Sequence, residues 1–114
     1  MGRALGEFEQ LILFALLELD EDAYGAAVGR AIEARTGREV SAGAVYTALD
    51  RLESRGLVRS RVGDPTPERG GRRRKYYRLE PEGARELHRS VDVLRSMSEG
   101  LLPRLADMVG GEGA

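Results

Sequence analysis

Between Glu7 and Leu19 the apolar positions Phe8, Ile12, Ala15, Leu16 and Leu19 recur at helical spacing, and Leu11, Leu13 and Phe14 widen the stripe until it nearly encircles the segment. That pattern predicts a central, buried helix. Asp20-Glu21-Asp22 follows as a turn with a capping acid, and Tyr24, Val28, Ala31 and Ile32 define a second amphipathic helix that stops at Gly37 after Thr36. The small residues Gly25, Ala26, Ala27 and Gly29 leave room for another helix to approach closely. Arg38-Glu39-Val40 is long enough only for a connector or a single β-bridge. Ser41 then caps a third helix whose Val45, Ala48, Leu49 and Leu52 fall at i, i+3, i+4 and i+7 and face inward. Its other side carries Ala42, Gly43, Tyr46, Thr47, Asp50, Arg51 and Ser54, and Gly56 ends it.

The period then changes from helical to alternating. Residues 57–62 read as a strand with Val58 and Val62 on one face and Arg59 and Arg61 on the other, and Lys75-Tyr76-Tyr77-Arg78-Leu79 reads as its return partner. Gly63, Asp64, Pro65, Thr66, Pro67, Gly70 and Gly71 form a flexible hairpin tip between them. After Pro81 a helical pattern runs over residues 82–108, with Leu87, Val91, Leu94, Leu101, Leu105 and Met108 forming a heptad-like seam; Gly100 and Pro103 predict a break or kink near residues 100–103. The seam could pack within the chain on the first helix, but a helix of that length exceeds what a small domain covers by itself, so the favoured cover is a second copy of the chain. The expected organisation is an N-terminal unit over residues 1–80, a C-terminal dimerisation helix over residues 81–109 and a flexible tail over residues 110–114.

With 114 residues the chain supports one domain with a modest core. Cysteine is absent, which removes disulfides, Cys-based metal sites and thiol nucleophiles. The longest apolar run spans seven residues, against the roughly 20 that cross a bilayer, and the start does not read as a secretory signal, so the expected location is cytoplasmic. No cofactor or metal is expected: His88 has no second His or Cys beside it, and no nucleophile motif, Walker A or dinucleotide fingerprint is present.

Charge separates along the chain although its sum is only −1. Residues 1–54 hold five Lys+Arg against ten acids, and residues 79–114 hold four against seven. Residues 55–78 reverse the sign, with nine cations (Arg55, Arg59, Arg61, Arg69, Arg72, Arg73, Arg74, Lys75 and Arg78) against Asp64 and Glu68, net +7. Arginine, which forms seventeen of the eighteen cations, matches phosphates and guanine edges with its planar fork. Three helices followed by a basic hairpin follow the plan of a winged helix-turn-helix, mainly α with a small β-hairpin, in which the third helix enters the major groove of double-stranded DNA. Ser41, Ala42 and Gly43 let its N-terminus approach phosphates; Tyr46 suits a phosphate or sugar, Thr47 a base edge, and Arg51 a phosphate or guanine. Arg69, Arg72, Arg73, Arg74 and Lys75 supply sequence-independent charge from the hairpin.

These residues also resemble a family. Tyr24-Gly25, the stretch Ser41-Ala42-Gly43-Ala44-Val45-Tyr46-Thr47-Ala48-Leu49-Asp50-Arg51-Leu52-Glu53-Ser54-Arg55-Gly56-Leu57-Val58, and Gly70-Gly71-Arg72-Arg73-Arg74-Lys75-Tyr76-Tyr77-Arg78-Leu79 are similar to the PadR-like transcriptional regulators over roughly residues 8–83. The resemblance implies a homodimeric bacterial repressor, its C-terminal helix crossing onto the partner, that leaves a pseudo-palindromic operator when a small-molecule effector binds. The single C-terminal helix looks like the smaller subfamily. Two departures stand out: Glu80 replaces the family's usual Thr before the last helix, and the absence of Trp argues against an aromatic drug-stacking pocket. Phe8, Ile12 and Leu94 are the candidate lining of an effector cleft. A rival reading is a winged-helix interaction module that sets its basic hairpin on an acidic partner protein.

Overall fold

The structure, a computed structural model, describes residues 4–64 and 73–110. Helices α1 (Glu7–Leu19), α2 (Gly25–Thr36) and α3 (Ala42–Ser54) precede an antiparallel hairpin of β1 (Val58–Val62) and β2 (Lys75–Leu79), and α4 (Pro81–Ser98) and α5 (Leu102–Val109) follow. The fold is mainly helical with a two-stranded wing, as the periodicities predict. Its core joins Ile12, Leu13 and Leu16 of α1 to Val28 and Ile32 of α2, to Val45, Ala48, Leu49 and Leu52 of α3, and to Leu57, Val58, Tyr77 and Leu87. All four inward positions expected of α3 are thus buried, each large aliphatic side chain contributing about 1.5–3 kcal/mol.

Three local expectations change. The α1 stripe is buried on one side only, and Phe14 and Leu17 stand exposed because the three-helix body covers a single face. No acid caps α2: Asp20–Asp22 form a 3-10 turn, and Tyr24 is an N-cap without a side-chain bond. Arg38-Glu39-Val40 is a connector, one of the two forms its length allows, and a β-bridge falls instead at Tyr24, which bridges Tyr76 while the Tyr77 N–H donates to the Ala23 carbonyl at 2.8 Å. In β1, Val58 is 2% exposed but Val62 is 59% exposed. Alternation puts both on one face, yet the helical body ends beneath Ser60, and Val62 has passed its edge.

The C-terminal pattern is two helices. Pro81 opens α4 at its first turn, where its missing N–H costs nothing. A break at residues 99–101 follows, with Gly100 at φ +76°, a left-handed conformation that favours glycine. The predicted seam divides. Leu87, 4% exposed, lies in the chain's own core and Val91 packs against it, whereas Leu94 is 62% and Met108 77% exposed, with Leu101 and Leu105 exposed between them. Leu87 therefore has no surface left for a partner, a correction to its place among the dimerisation residues. The start of α4 sits tightly on the hairpin foot: the Glu80 N–H donates to the Leu57 carbonyl at 3.0 Å, and a Cβ on Gly83 would overlap that same oxygen. Among the described residues no helix is long and apolar enough to cross a membrane.

Candidate nucleic-acid interface

The N-terminus of α3 is capped as its sequence requires, the Ser41 Oγ accepting the Ala44 N–H at 3.1 Å. At Gly29 of α2 a Cβ would meet Val40 and Val45 only at ordinary contact distances of 3.4 and 3.9 Å, so the close approach of α2 and α3 is made instead at Gly25. With Val45, Ala48, Leu49 and Leu52 turned inward, Ser41, Ala42, Gly43, Tyr46, Thr47 and Arg51 all lie exposed on the opposite face. Nothing within 4 Å would meet a Cβ on Gly43. The first turn is thus open to a phosphate, whose charge the helix N-terminus favours. Tyr46 is 44% exposed, and its ring rests on Gly25 so closely that a Cβ there would stand 2.6 Å from Cε1.

The wing is fixed to α3 and α2 by specific contacts. The Glu53 Oε2 accepts both the Ser60 hydroxyl at 2.7 Å and the Ser60 N–H at 3.2 Å, tying β1 to the last turn of α3. Tyr77 points into the core, and burial first, then the charges of Asp50 and Glu53, pushes its phenol up to about 12. Tyr76, on the other face, meets the Tyr24 ring edge-on at 5.7 Å. Guanidinium groups cover these rings: Arg74 lies 4.0 Å from the Tyr24 centroid and Arg61 4.6 Å from that of Tyr76. Arg59 and Arg78, directly opposite each other in the hairpin, share the Glu80 carboxylate at 3.5 and 3.6 Å. That is the work of the acid that replaces the expected hydroxyl: Glu80 is the N-cap of α4 but makes no side-chain cap bond.

Of the hairpin cations expected to meet DNA, Arg73 and Lys75 are exposed, Arg74 is half-buried on its ring, and Arg69 and Arg72 lie outside the described residues, as do most of the hairpin tip and the tail from residue 111. Sequence reasoning missed Glu53, Tyr24 and Gly25 as elements of this surface, although Tyr24-Gly25 stood out as a motif. The three residues expected around an effector differ in exposure. Ile12 has no exposed surface and Phe8 packs on the same core, so of the three only Leu94 is open. Ile12 is corrected from cleft to core. A groove of about 470 Å³ lies elsewhere, between α1 and α2, lined by Leu11, Phe14, Leu17 and Ile32 and bordered by the Glu18–Arg35 ion pair at 3.0 Å. The bond from Arg35 holds the Glu18 carboxyl below its usual range. Among the described residues no cluster of His, Cys, Asp or Glu is suited to a metal ion.

Two helices in close contact, an open third-helix face and a basic hairpin pinned to it define a winged helix-turn-helix of the DNA-binding class. Over residues 12–89 the sequence matches the transcriptional regulator PadR-like family, and the chain belongs to that family of DNA-binding regulators. Similar solved structures include a PadR family regulator from Eggerthella lenta DSM 2243, 29% identical over 93% of this chain and 88% of that one, with a TM-score of 0.65. A PadR family regulator from Clostridium difficile R20291 is 26% identical over 86% of this chain and 98% of that one, TM-score 0.67. A transcriptional regulator from Clostridium thermocellum is 27% identical over 80% and 85%, TM-score 0.67. Among curated proteins, none matches the sequence.

Proposed function

We propose that this regulator is a cytoplasmic symmetric homodimer that represses transcription from a pseudo-palindromic operator and is released by a small-molecule effector. The observation that carries the reading is the outward face of α3, where Ser41, Ala42, Gly43, Tyr46, Thr47 and Arg51 are exposed together beside an anchored basic hairpin. In this reading Thr47 and Arg51 read base edges, Ser41 to Gly43 and Tyr46 meet the backbone, and Arg69, Arg72, Arg73 and Lys75 add phosphate contacts. Residues 1–80 form the DNA-binding unit, residues 81–109 the dimerisation segment, and residues 110–114 a tail. Exposed apolar groups on α4, on α5 and in the break between them (Leu94, Leu101, Leu105 and Met108) support the dimer, because a monomer would leave them in water. An effector would act between protomers, near Phe8 and Leu94. The chain needs no cofactor for this.

The test is selection of genomic fragments by the purified protein, then fluorescence anisotropy of the winners against scrambled duplexes at about 50 and 200 mM salt. The expected winner is dyad-symmetric, with half-sites about 10 base pairs apart and preference of at least about a thousandfold. Equal binding to winner and scramble would overturn the specific-repressor reading and favour a protein partner for the wing.

A further inference from the structure

The sequence presents nine cations in residues 55–78 as one electrostatic surface, but the structure sorts the described ones by what they touch. Arg61 and Arg74 belong to a continuous stack. Arg30 of α2 donates to the Tyr24 hydroxyl at 2.8 Å, Arg74 covers the Tyr24 ring, Tyr24 meets Tyr76 edge-on at an interplanar angle of 74°, and Arg61 covers the Tyr76 ring. Arg61 also donates to the Glu21 carbonyl at 3.3 Å, on the turn between α1 and α2. At the same place the Tyr77 N–H is bonded to Ala23 and the Gly63 N–H to the Arg74 carbonyl at 2.7 Å.

We propose that Arg74 and Arg61 are positioning residues of the wing: they clamp the hairpin to the Tyr24 and Tyr76 rings, and through that clamp hold the exposed Arg73 where it meets the DNA backbone. The proposal rests on the reading of the hairpin as a DNA contact. A guanidinium laid on a ring keeps its charge but loses freedom to swing toward a phosphate. It fixes the rigid body of the wing against α2, and the charge delivered to DNA comes from neighbours. Arg74 and Arg73 are adjacent and chemically identical, so a count of charge assigns them one role; their surroundings assign them two.

Two measurements on the full chain separate these roles. The first needs no DNA: melting temperatures of Arg74→Ala, Tyr24→Leu and the double variant. The expected double variant melts close to the worse single variant, because both remove one contact, while Tyr24→Phe, which keeps the ring, retains most of the stability. Additive losses would overturn the clamp. The second measures affinity for a mixed-sequence duplex from about 50 to 200 mM salt. Arg73→Ala should flatten the salt slope by about one unit, whereas Arg74→Ala should weaken binding by about tenfold with the slope unchanged. A slope flattened equally by Arg74→Ala would make it a phosphate contact and overturn the proposal. Non-additive melting together with no salt-dependent binding by the unaltered protein would instead refute the DNA reading of the wing, and with it the claim that the clamp serves DNA.

Discussion

Gly25→Ala separates the stability of this fold from the placement of its DNA-facing surface. Gly25 is the first residue of α2, is buried, and is not among the positive-φ glycines, so its backbone makes no demand for glycine. Space makes the demand: a Cβ would stand 2.5 Å from the Tyr46 hydroxyl and 2.6 Å from Cε1. The obstructing group is the free end of a side chain that is 44% exposed, so it can swing out. Displacing the ring to a poorer rotamer costs about 0.5–1.5 kcal/mol, and replacing glycine in a compatible helical conformation returns about 0.4–1 kcal/mol through the unfolded state. The two nearly cancel. The expected change in stability is within about 1 kcal/mol, a melting shift of no more than about 8 °C.

DNA affinity should respond differently. If the seated Tyr46 makes one hydrogen bond to the backbone, worth about 0.5–1.5 kcal/mol, its displacement weakens binding about two- to tenfold. Thermal melting and anisotropy on the selected operator measure the two quantities. In a Tyr46→Ala background the ring is gone, so Gly25→Ala should then have almost no effect on affinity. The reasoning is refuted if Gly25→Ala costs more than about 3 kcal/mol, or if it weakens binding equally with and without the Tyr46 ring.

Three further outcomes follow from the packing. Gly83→Ala should lower the melting temperature clearly, by roughly 1–3 kcal/mol of stability, because its Cβ meets the Leu57 carbonyl of the backbone, which cannot rotate away. The two residues of the C-terminal seam should separate by assay: Leu87→Ala loses about 2–5 kcal/mol in thermal denaturation, whereas Leu105→Asp leaves the fold intact and lowers the mass measured by light scattering. Tyr77 has a folded pKa of about 12 against an unfolded value of about 10; a raised folded value favours the neutral phenol, so the native protein holds the full benefit below pH 10 and loses it as pH climbs toward 12. Urea denaturation at about pH 9 and pH 11.5 should show a loss of up to about 2 kcal/mol, and Tyr77→Phe should remove most of that difference.

Features set by local sequence were legible. Ser41 caps α3 because a hydroxyl at that offset reaches the N–H of Ala44, and the inward set Val45, Ala48, Leu49 and Leu52 needs only the helical period. Features set by the extent of a neighbouring surface were not. Alternation correctly paired Val58 with Val62 on one side of β1 but contained no information on where the body beneath it stops. A heptad seam likewise states that Leu87 and Met108 need cover, without saying that the chain's own core buries the first and leaves the second exposed. Tyr24 read as one more apolar position of a helix, since its partners Arg74 and Tyr76 lie some fifty residues away and are joined to it only by the fold.

The same distinction limits what a charge count says about binding. The +7 block suggests up to nine phosphate contacts per protomer. At about 0.9 per neutralised phosphate, that would give a wing contribution to the salt slope near 8. Yet six of the seven described cations meet a partner within the chain: Arg55 faces Glu9 at 3.9 Å, Arg59 and Arg78 share Glu80, Arg61 and Arg74 lie on tyrosine rings, and the Lys75 ammonium stands 5.7 Å from the Tyr77 centroid. Taking the five arginines so held out of the count leaves at most four cations for phosphates, a contribution no greater than about 3.6. The charge of the described part of the block is therefore largely architectural, and affinity for DNA should depend more steeply on the rings and on Glu80 than their lack of contact with DNA would suggest.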